Sequence, residues 1–348
     1  MFKNRSLFIV LMLVLTLGLF GGCSAEKAEA PAESVEPVDS VETVEPAGEL
    51  QKITVTLDWT PNTNHTGLYV AKEQGFYTEA GLEVEIVQPA GGTAEQLVAT
   101  DKAQFGISYQ EAVTLARLEE VPVVSIAAVL QHNTSGFASL KSKNIETPKD
   151  FEDMSYGGWG SPIEVATIKA LMDDVDADIE KVEILTSGGA DFFAASESDV
   201  DFSWVFEGWT GVEAKLKGVE LNYIDLGKQN EVLDYYTPVI ITSEKNINEN
   251  SELVEKFMEA TAKGYEFAIS NPTEAGEMLL ANAPELDKEL VIASQEFLSD
   301  KYQADAAQWG VQKTEVWDNY TNWLFERELI ADKIESDKAF TNAFLPKK

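Results

Sequence analysis

The ten residues from Asp58 to Gly67 read Asp-Trp-Thr-Pro-Asn-Thr-Asn-His-Thr-Gly. Trp59 offers a π face, Asn62 and Asn64 each carry a donor beside an acceptor, and His65 is one of two histidines in the chain. Groups of the same kind recur at Tyr109, at Trp159-Gly160-Ser161, at Trp204, and at Glu207 between Phe206 and Gly208. Their chemistry is stacking and hydrogen bonding, which holds a ligand without transforming it. Nothing else assembles an active site. His65 and His132 are the sole histidines, no run has metal-ligand spacing, and the only cysteine is Cys23. No catalytic residue, metal or cofactor is expected.

These groups sit where elements change. A β-type run at 53–57 feeds the first turn, a helical run at 68–74 leaves it, and Gly75 is placed to stop that helix. The turn therefore falls at the carboxyl end of a strand, where ligands bind in α/β sheets and where free N–H groups of a first helical turn point. Asn62 and Asn64 equally suit the turn and the N-cap of that helix. Strands at 83–88, 105–108 and 123–129 alternate with helices at 94–100 and 112–119, which marks a mostly parallel sheet.

A second α/β series begins near Phe137. Its strand at 155–157 runs into Gly158-Trp159-Gly160-Ser161-Pro162, where Ser161 and Glu164 fit a capping box. A strand at 202–205 runs into Glu207, and Trp204 and Trp209 suit a core as readily as a site. The β-branched run at 239–242 returns to the first series, and helices follow from Ser251. Trp309, Trp317 and Trp323 are read as packing residues. The chain thus crosses between lobes near Gly136 and near Pro238, with one lobe at 50–136 and 239–348 and the other at 137–238. Such a body closes on a ligand by hinge motion.

The 348 residues are enough for two lobes with ample core, and 44% of them are hydrophobic. A net charge of −34, from 60 acidic and 26 basic residues, argues against nucleic acid and anionic membrane surfaces as partners but leaves an anionic ligand open. Lys3 and Arg5 precede an apolar run at 7–20, as in an export signal covering 1–22. Phe20-Gly21-Gly22-Cys23 resembles a bacterial lipobox, so Cys23 is expected to be acylated and to anchor the protein on the outer face of the cell membrane. Residues 23–49, rich in Ala, Glu, Pro, Val and Ser and free of aromatics, read as a disordered acidic tether.

From Lys52 to the C-terminus the chain resembles the periplasmic-binding-type solute receptors of ABC importers, in the branch related to thiamine-pyrimidine synthesis proteins. The resemblance is most specific over Val55-Thr56-Leu57-Asp58-Trp59-Thr60-Pro61-Asn62-Thr63-Asn64-His65-Thr66-Gly67-Leu68-Tyr69-Val70-Ala71 and Gly75-Phe76-Tyr77. The spacing to Gly81-Leu82 and Phe105-Gly106-Ile107 also matches. It implies a two-lobed type II α/β fold with C-terminal helices packed on the first lobe, acting as a monomer beside permease and ATPase subunits. Within the family the chain looks most like members that bind formylaminopyrimidine, and less like receptors for riboflavin, sulfonates or nitrate. The related synthases carry a lysine and, four residues on, a histidine after the short third strand, together with a cysteine-rich run. Ser108 and Ala112 stand at the matching positions here, and no cysteine lies near Tyr235-Tyr236-Thr237-Pro238, so the resemblance implies binding rather than synthesis. An aminopyrimidine offers two π faces for Trp59, Tyr109, Trp159 or Trp204, an amino group for the Glu207 carboxylate, and a ring edge for Asn62 or Asn64. By resemblance, the Gly160-Ser161 turn borders the ligand from the second lobe, and it matches the phosphate loop of the synthases.

Overall fold

The computed structural model describes residues 49–186 and 191–347, so the expected export signal, Cys23 and the tether up to residue 48 lie outside it. Among the described residues the strands are β1 (Gln51–Thr56), β2 (Leu82–Val87), β3 (Phe105–Ser108), β4 (Val123–Ala128), β5 (Ser135–Leu140), β6 (Ser155–Gly158), β7 (Glu183–Thr186), β8 (Phe202–Phe206), β9 (Leu221–Asp225) and β10 (Val239–Ser243). They form two five-stranded sheets, ordered β2-β1-β3-β10-β4 and β7-β6-β8-β5-β9.

Each sheet has a parallel half and an antiparallel insertion. β1 is parallel to β2 and β3, whereas β10 runs antiparallel between β3 and β4. β6 is parallel to β7 and β8, whereas β5 runs antiparallel between β8 and β9. The inserted strand is in each case the first one after the chain changes sheet. Ser135 and Gly136 already pair with Phe206 and Val205, so the first crossing runs through residues 129–134, just ahead of the boundary read from sequence.

The apolar runs explain the two cores. In the first lobe Phe105 stacks on Phe257 of helix Ser251–Ser270 at 3.8 Å between ring centroids. In the second, Phe137 of β5 contacts Phe151, Tyr156, Phe202 and Trp204. Burying one such ring contributes roughly 1.5–3 kcal/mol. The C-terminal helices pack on the first sheet, but helix Thr314–Glu326 reaches further. Its Trp317 stacks on Phe340 beside β4 and β10, while its Tyr320, Trp323 and Leu324 belong to the second core. Among the described residues no helix is long and apolar enough to cross a membrane.

The strand ends set out the candidate residues. Trp59 follows β1, Tyr109 follows β3, Trp159 follows β6 and Glu207 follows β8.

Candidate functional site

After β1 the chain makes a single 3₁₀ turn, Thr63–His65, before helix Thr66–Glu73. Asn62 caps it: its Oδ1 accepts from the Asn64 N–H at 2.9 Å, and its Nδ2 donates to the Thr60 carbonyl at 3.0 Å. The Asn62 N–H donates to His65 Nδ1 at 3.2 Å, so the ring proton is on Nε2, which donates to Asp58 Oδ1 at 2.6 Å. Tyr109 donates its hydroxyl proton to the other Asp58 oxygen at 2.5 Å. Burial alone would raise the Asp58 carboxyl, but the His65 ring and the Tyr109 hydroxyl outweigh it and hold the group below its ordinary value. The result is an ionised carboxylate pinned from two sides, next to a tryptophan that is 47% exposed.

More carboxyls surround Tyr109. Glu95, in the first turn of helix Ala94–Ala99, accepts from the Ser108 hydroxyl. Glu111, in the first turn of helix Gln110–Leu118, is buried. Burial, then the charges of Asp58, Glu111 and Glu95, push the Tyr109 phenol well above its ordinary value, so it stays a donor.

In the second lobe the turn after β6 is held by one side chain. Glu164, 1% exposed, accepts from the backbone N–H groups of Trp159 at 3.0 Å, Gly160 at 2.8 Å and Ser161 at 2.6 Å, and from the Tyr156 hydroxyl at 2.7 Å. A Cβ on Gly158 would stand 2.0 Å from the Glu164 carboxylate, so only glycine lets the carboxylate into the turn. Trp159 is 43% exposed, and its ring lies 5.5 Å from that of the buried Trp204, whose indole N–H has no acceptor in the protein.

Glu207 opens a wide helical turn, Glu207–Gly211. Its N–H donates to the Thr134 carbonyl at 2.9 Å, so it stands beside the first crossing. Its carboxylate lies 3.6 Å from the exposed Lys215. The next residue joins the two lobes: Ser294 donates to the Gly208 carbonyl and lies 2.6 Å from the Thr63 hydroxyl. Two surface depressions of about 430 and 390 Å³ hold none of these residues.

The NMT1/THI5-like family model matches residues 62–275, most of both lobes. The chain belongs to the NMT1/THI5-like family. Within it, the chain is 30% identical to the formylaminopyrimidine-binding protein of Halalkalibacterium halodurans, across 84% of this chain and 90% of that protein. It is 25% identical to the riboflavin-binding protein RibY of Chloroflexus aurantiacus, across 99% of both. Among solved structures, the alkanesulfonate-binding protein SsuA from Xanthomonas axonopodis pv. citri bound to MOPS superimposes with a TM-score of 0.64 at 12% identity. That match covers 85% of this chain and 99% of SsuA, and it establishes the periplasmic-binding-protein fold.

For this NMT1/THI5-like chain the structure divides the residues picked out from sequence. Trp59 and Trp159 are exposed, Tyr109 and Glu207 are half-buried, and Trp204 lies against Trp159. Gly160 and Ser161 lie in the turn, but their N–H groups are already taken by Glu164. Asn62 uses one amide N–H and one Oδ1 lone pair within the turn, and His65 is fully buried with both ring nitrogens engaged, so both shape the turn. Asn64 is half-buried, and its carbonyl accepts from Tyr265 at 2.7 Å. Trp209, half-buried, packs against Tyr69, Leu279 and Val291 of the first lobe. Sequence reasoning passed over Asp58, Glu95 and Glu111 as partners of Tyr109. The visible signal was three carboxyls at strand ends or helix starts, which the helix dipole alone also explains.

Proposed function

We propose that this protein captures a thiamine-type aminopyrimidine, formylaminopyrimidine first among them, and hands it to the permease and ATPase subunits of an ABC importer. It does so from the outer face of the membrane, held there by acylated Cys23. The family and the fold support a solute-binding role, and the formylaminopyrimidine-binding relative supports the ligand class.

The observation that carries the choice of ligand is the Glu164 carboxylate in the turn after β6. A helix N-terminus with three converging N–H groups is a ready anion site. Here Glu164 already occupies all three, and an incoming sulfonate or phosphate would meet a buried carboxylate. Asp58 supplies a second fixed negative charge on the opposite lobe. What remains free is aromatic surface, from Trp59, Tyr109 and Trp159 above Trp204, with the Trp204 indole N–H waiting for an acceptor. A planar ring with both donors and acceptors on its edge satisfies these groups together. The relatives that bind formylaminopyrimidine and riboflavin support reading the protein as a receptor.

Glu207 takes the exocyclic amino group in this reading. Its partner Lys215 is exposed, so their pairing is weak and leaves the carboxylate accessible. A hydrogen bond to a charged acceptor contributes ~1.5–3 kcal/mol. Glu207→Gln replaces half of that acceptor with a donor and is expected to weaken pyrimidine binding roughly tenfold or more by calorimetry. Tighter binding by Glu207→Gln would remove this contact from the site.

A further inference from the structure

The first crossing between the lobes, residues 129–134, is seated on the irregular segment at 299–313 that joins helix Lys288–Leu298 to helix Thr314–Glu326. Trp309 donates its indole N–H to the Val129 carbonyl at 3.2 Å. Gln131 donates its backbone N–H to the Lys301 carbonyl at 3.3 Å and its Nε2 to the Val311 carbonyl at 3.1 Å. The same crossing is tied to the second one. The Val129 N–H donates to the Pro238 carbonyl at 2.9 Å, the Asn133 N–H to Asp234 Oδ1 at 2.8 Å, and Asn133 Nδ2 to the Leu233 carbonyl at 2.8 Å.

His132 stands where these three stretches of chain meet. Its Nδ1 lies 2.7 Å from Asp234 Oδ2, and its Nε2 lies 3.0 Å from Asp305 Oδ1. Carboxylates only accept, so the ring donates from both nitrogens and carries a positive charge. Partial burial alone would lower the imidazole, but Asp234 and then Asp305 outweigh it and hold the group above its ordinary value. Lys313 acts on Asp305 from the far side, and its N–H donates to the Tyr236 hydroxyl at 2.9 Å. Tyr236 in turn feels Asp234, Asp305 and Glu315. The other ties to residues 299–313 join amides, carbonyls and an indole, so His132 makes the one whose strength follows pH.

We propose that His132 is a proton-operated tie that fastens the hinge to the first lobe. Charged, it joins both crossings to residues 299–313. On losing a proton the ring keeps one N–H, which stays on the shorter bond to the less exposed Asp234. Nε2 then turns a lone pair toward the Asp305 carboxylate, and that contact becomes repulsive. The crossings stay joined to each other but lose a fastening to the first lobe. Lobe closure turns about these crossings, so the tie sets how readily the hinge moves. The raised imidazole gives the sign. The tie is complete below the ordinary value of 6.5 and is lost as pH rises through the higher folded value.

The test needs no ligand. Nuclear magnetic resonance on the full chain, from about pH 5.5 to about pH 9, follows the His132 ring and the exchange of the Gln131 amide, corrected for the pH dependence of free amides. His132→Gln assigns the ring signal, since only one other histidine is present. The ring is expected to titrate above 6.5 in wild type and lower in Asp305→Asn. Protection of the Gln131 amide should fall roughly threefold across the wild-type titration, as suits a partly exposed ion pair. His132→Gln keeps every other titrating group, and its protection should stay level at the lower value. A ring that titrates at or below 6.5, a level wild-type profile, or an equal fall in His132→Gln would overturn the proposal. Thermal melting reports whether His132→Gln is folded. Should it not fold, Asp305→Asn takes its place as the control, and a fall as large as in wild type would overturn the proposal.

Discussion

Trp59 and Trp159 occupy equivalent places in the two lobes, each between the end of a strand and the start of a helix, with 47% and 43% of their surface exposed. The turns that carry them are fixed differently. The first is tied across the fold: Asp58 joins His65 within the turn to Tyr109, 51 residues away, and Tyr302 donates to the Thr63 carbonyl at 2.6 Å. Through Thr63, Ser294 and Gly208 it also touches the other lobe. The second is tied to itself, because every described partner of the Glu164 carboxylate lies within eight residues. The first tryptophan is therefore referenced to the whole first lobe and the hinge, while the second rides on a self-contained loop.

Substitutions that cut these ties separate the two arrangements. Glu164→Ala should have the largest effect, since it leaves three partly buried N–H groups and the buried Tyr156 hydroxyl without their acceptor. A loss of ~3–5 kcal/mol in denaturant unfolding is expected, with weakened ligand binding. A loss under about 1 kcal/mol would mean that the second turn does not depend on this carboxylate.

Asp58→Asn comes next. It keeps one acceptor and loses the charge, and a cost of about 1–2 kcal/mol is expected near pH 7. The sign with pH follows from the lowered carboxyl. Its contribution is complete above the ordinary value of 3.8 and fades as pH falls through the lower folded value, so wild type and Asp58→Asn should converge in strongly acid solution. A constant difference down to about pH 2 would contradict the network.

The smallest effects on stability belong to the tryptophans, because both are already half in solvent. Trp59→Ala and Trp159→Ala should each change unfolding free energy by under about 0.5 kcal/mol. Their effect on binding should be larger, ~1–3 kcal/mol each, since an aromatic anchor is lost only in the complex. Unchanged affinity in both variants would remove the paired rings from the site.

Much of this architecture was legible in the sequence, and the exceptions share a cause. The strand-turn-helix order, the stop at Gly75 and the Ser161–Glu164 box are local patterns, and they appear in the structure where the residues put them. Asn62 was legible as a cap, and its Oδ1 accepts from the Asn64 N–H as a cap does. The reach of Glu164 past Ser161 to Gly160 and Trp159 needs Gly158 to make room, which a capping pattern does not announce. The Asp58–Tyr109 bond and the Tyr235–Tyr320 ring contact join segments far apart in the chain, and periodicity carries no information about such meetings. Helix Thr314–Glu326 shows the same limit. Its aromatic spacing reads as packing, but only the fold reveals that Trp317 serves one core and Tyr320 and Trp323 the other.

The central claim is that an acidic, aromatic site selects a neutral heteroaromatic over an anion. Calorimetric titration of formylaminopyrimidine, riboflavin, taurine and nitrate into the same wild-type preparation near pH 7 tests it most directly. The pyrimidine is expected to bind at least a hundredfold more tightly than either anion, a gap of about 2.7 kcal/mol. Taurine or nitrate binding as tightly as the pyrimidine would contradict the account, because neither can displace the Glu164 carboxylate from the turn it fills.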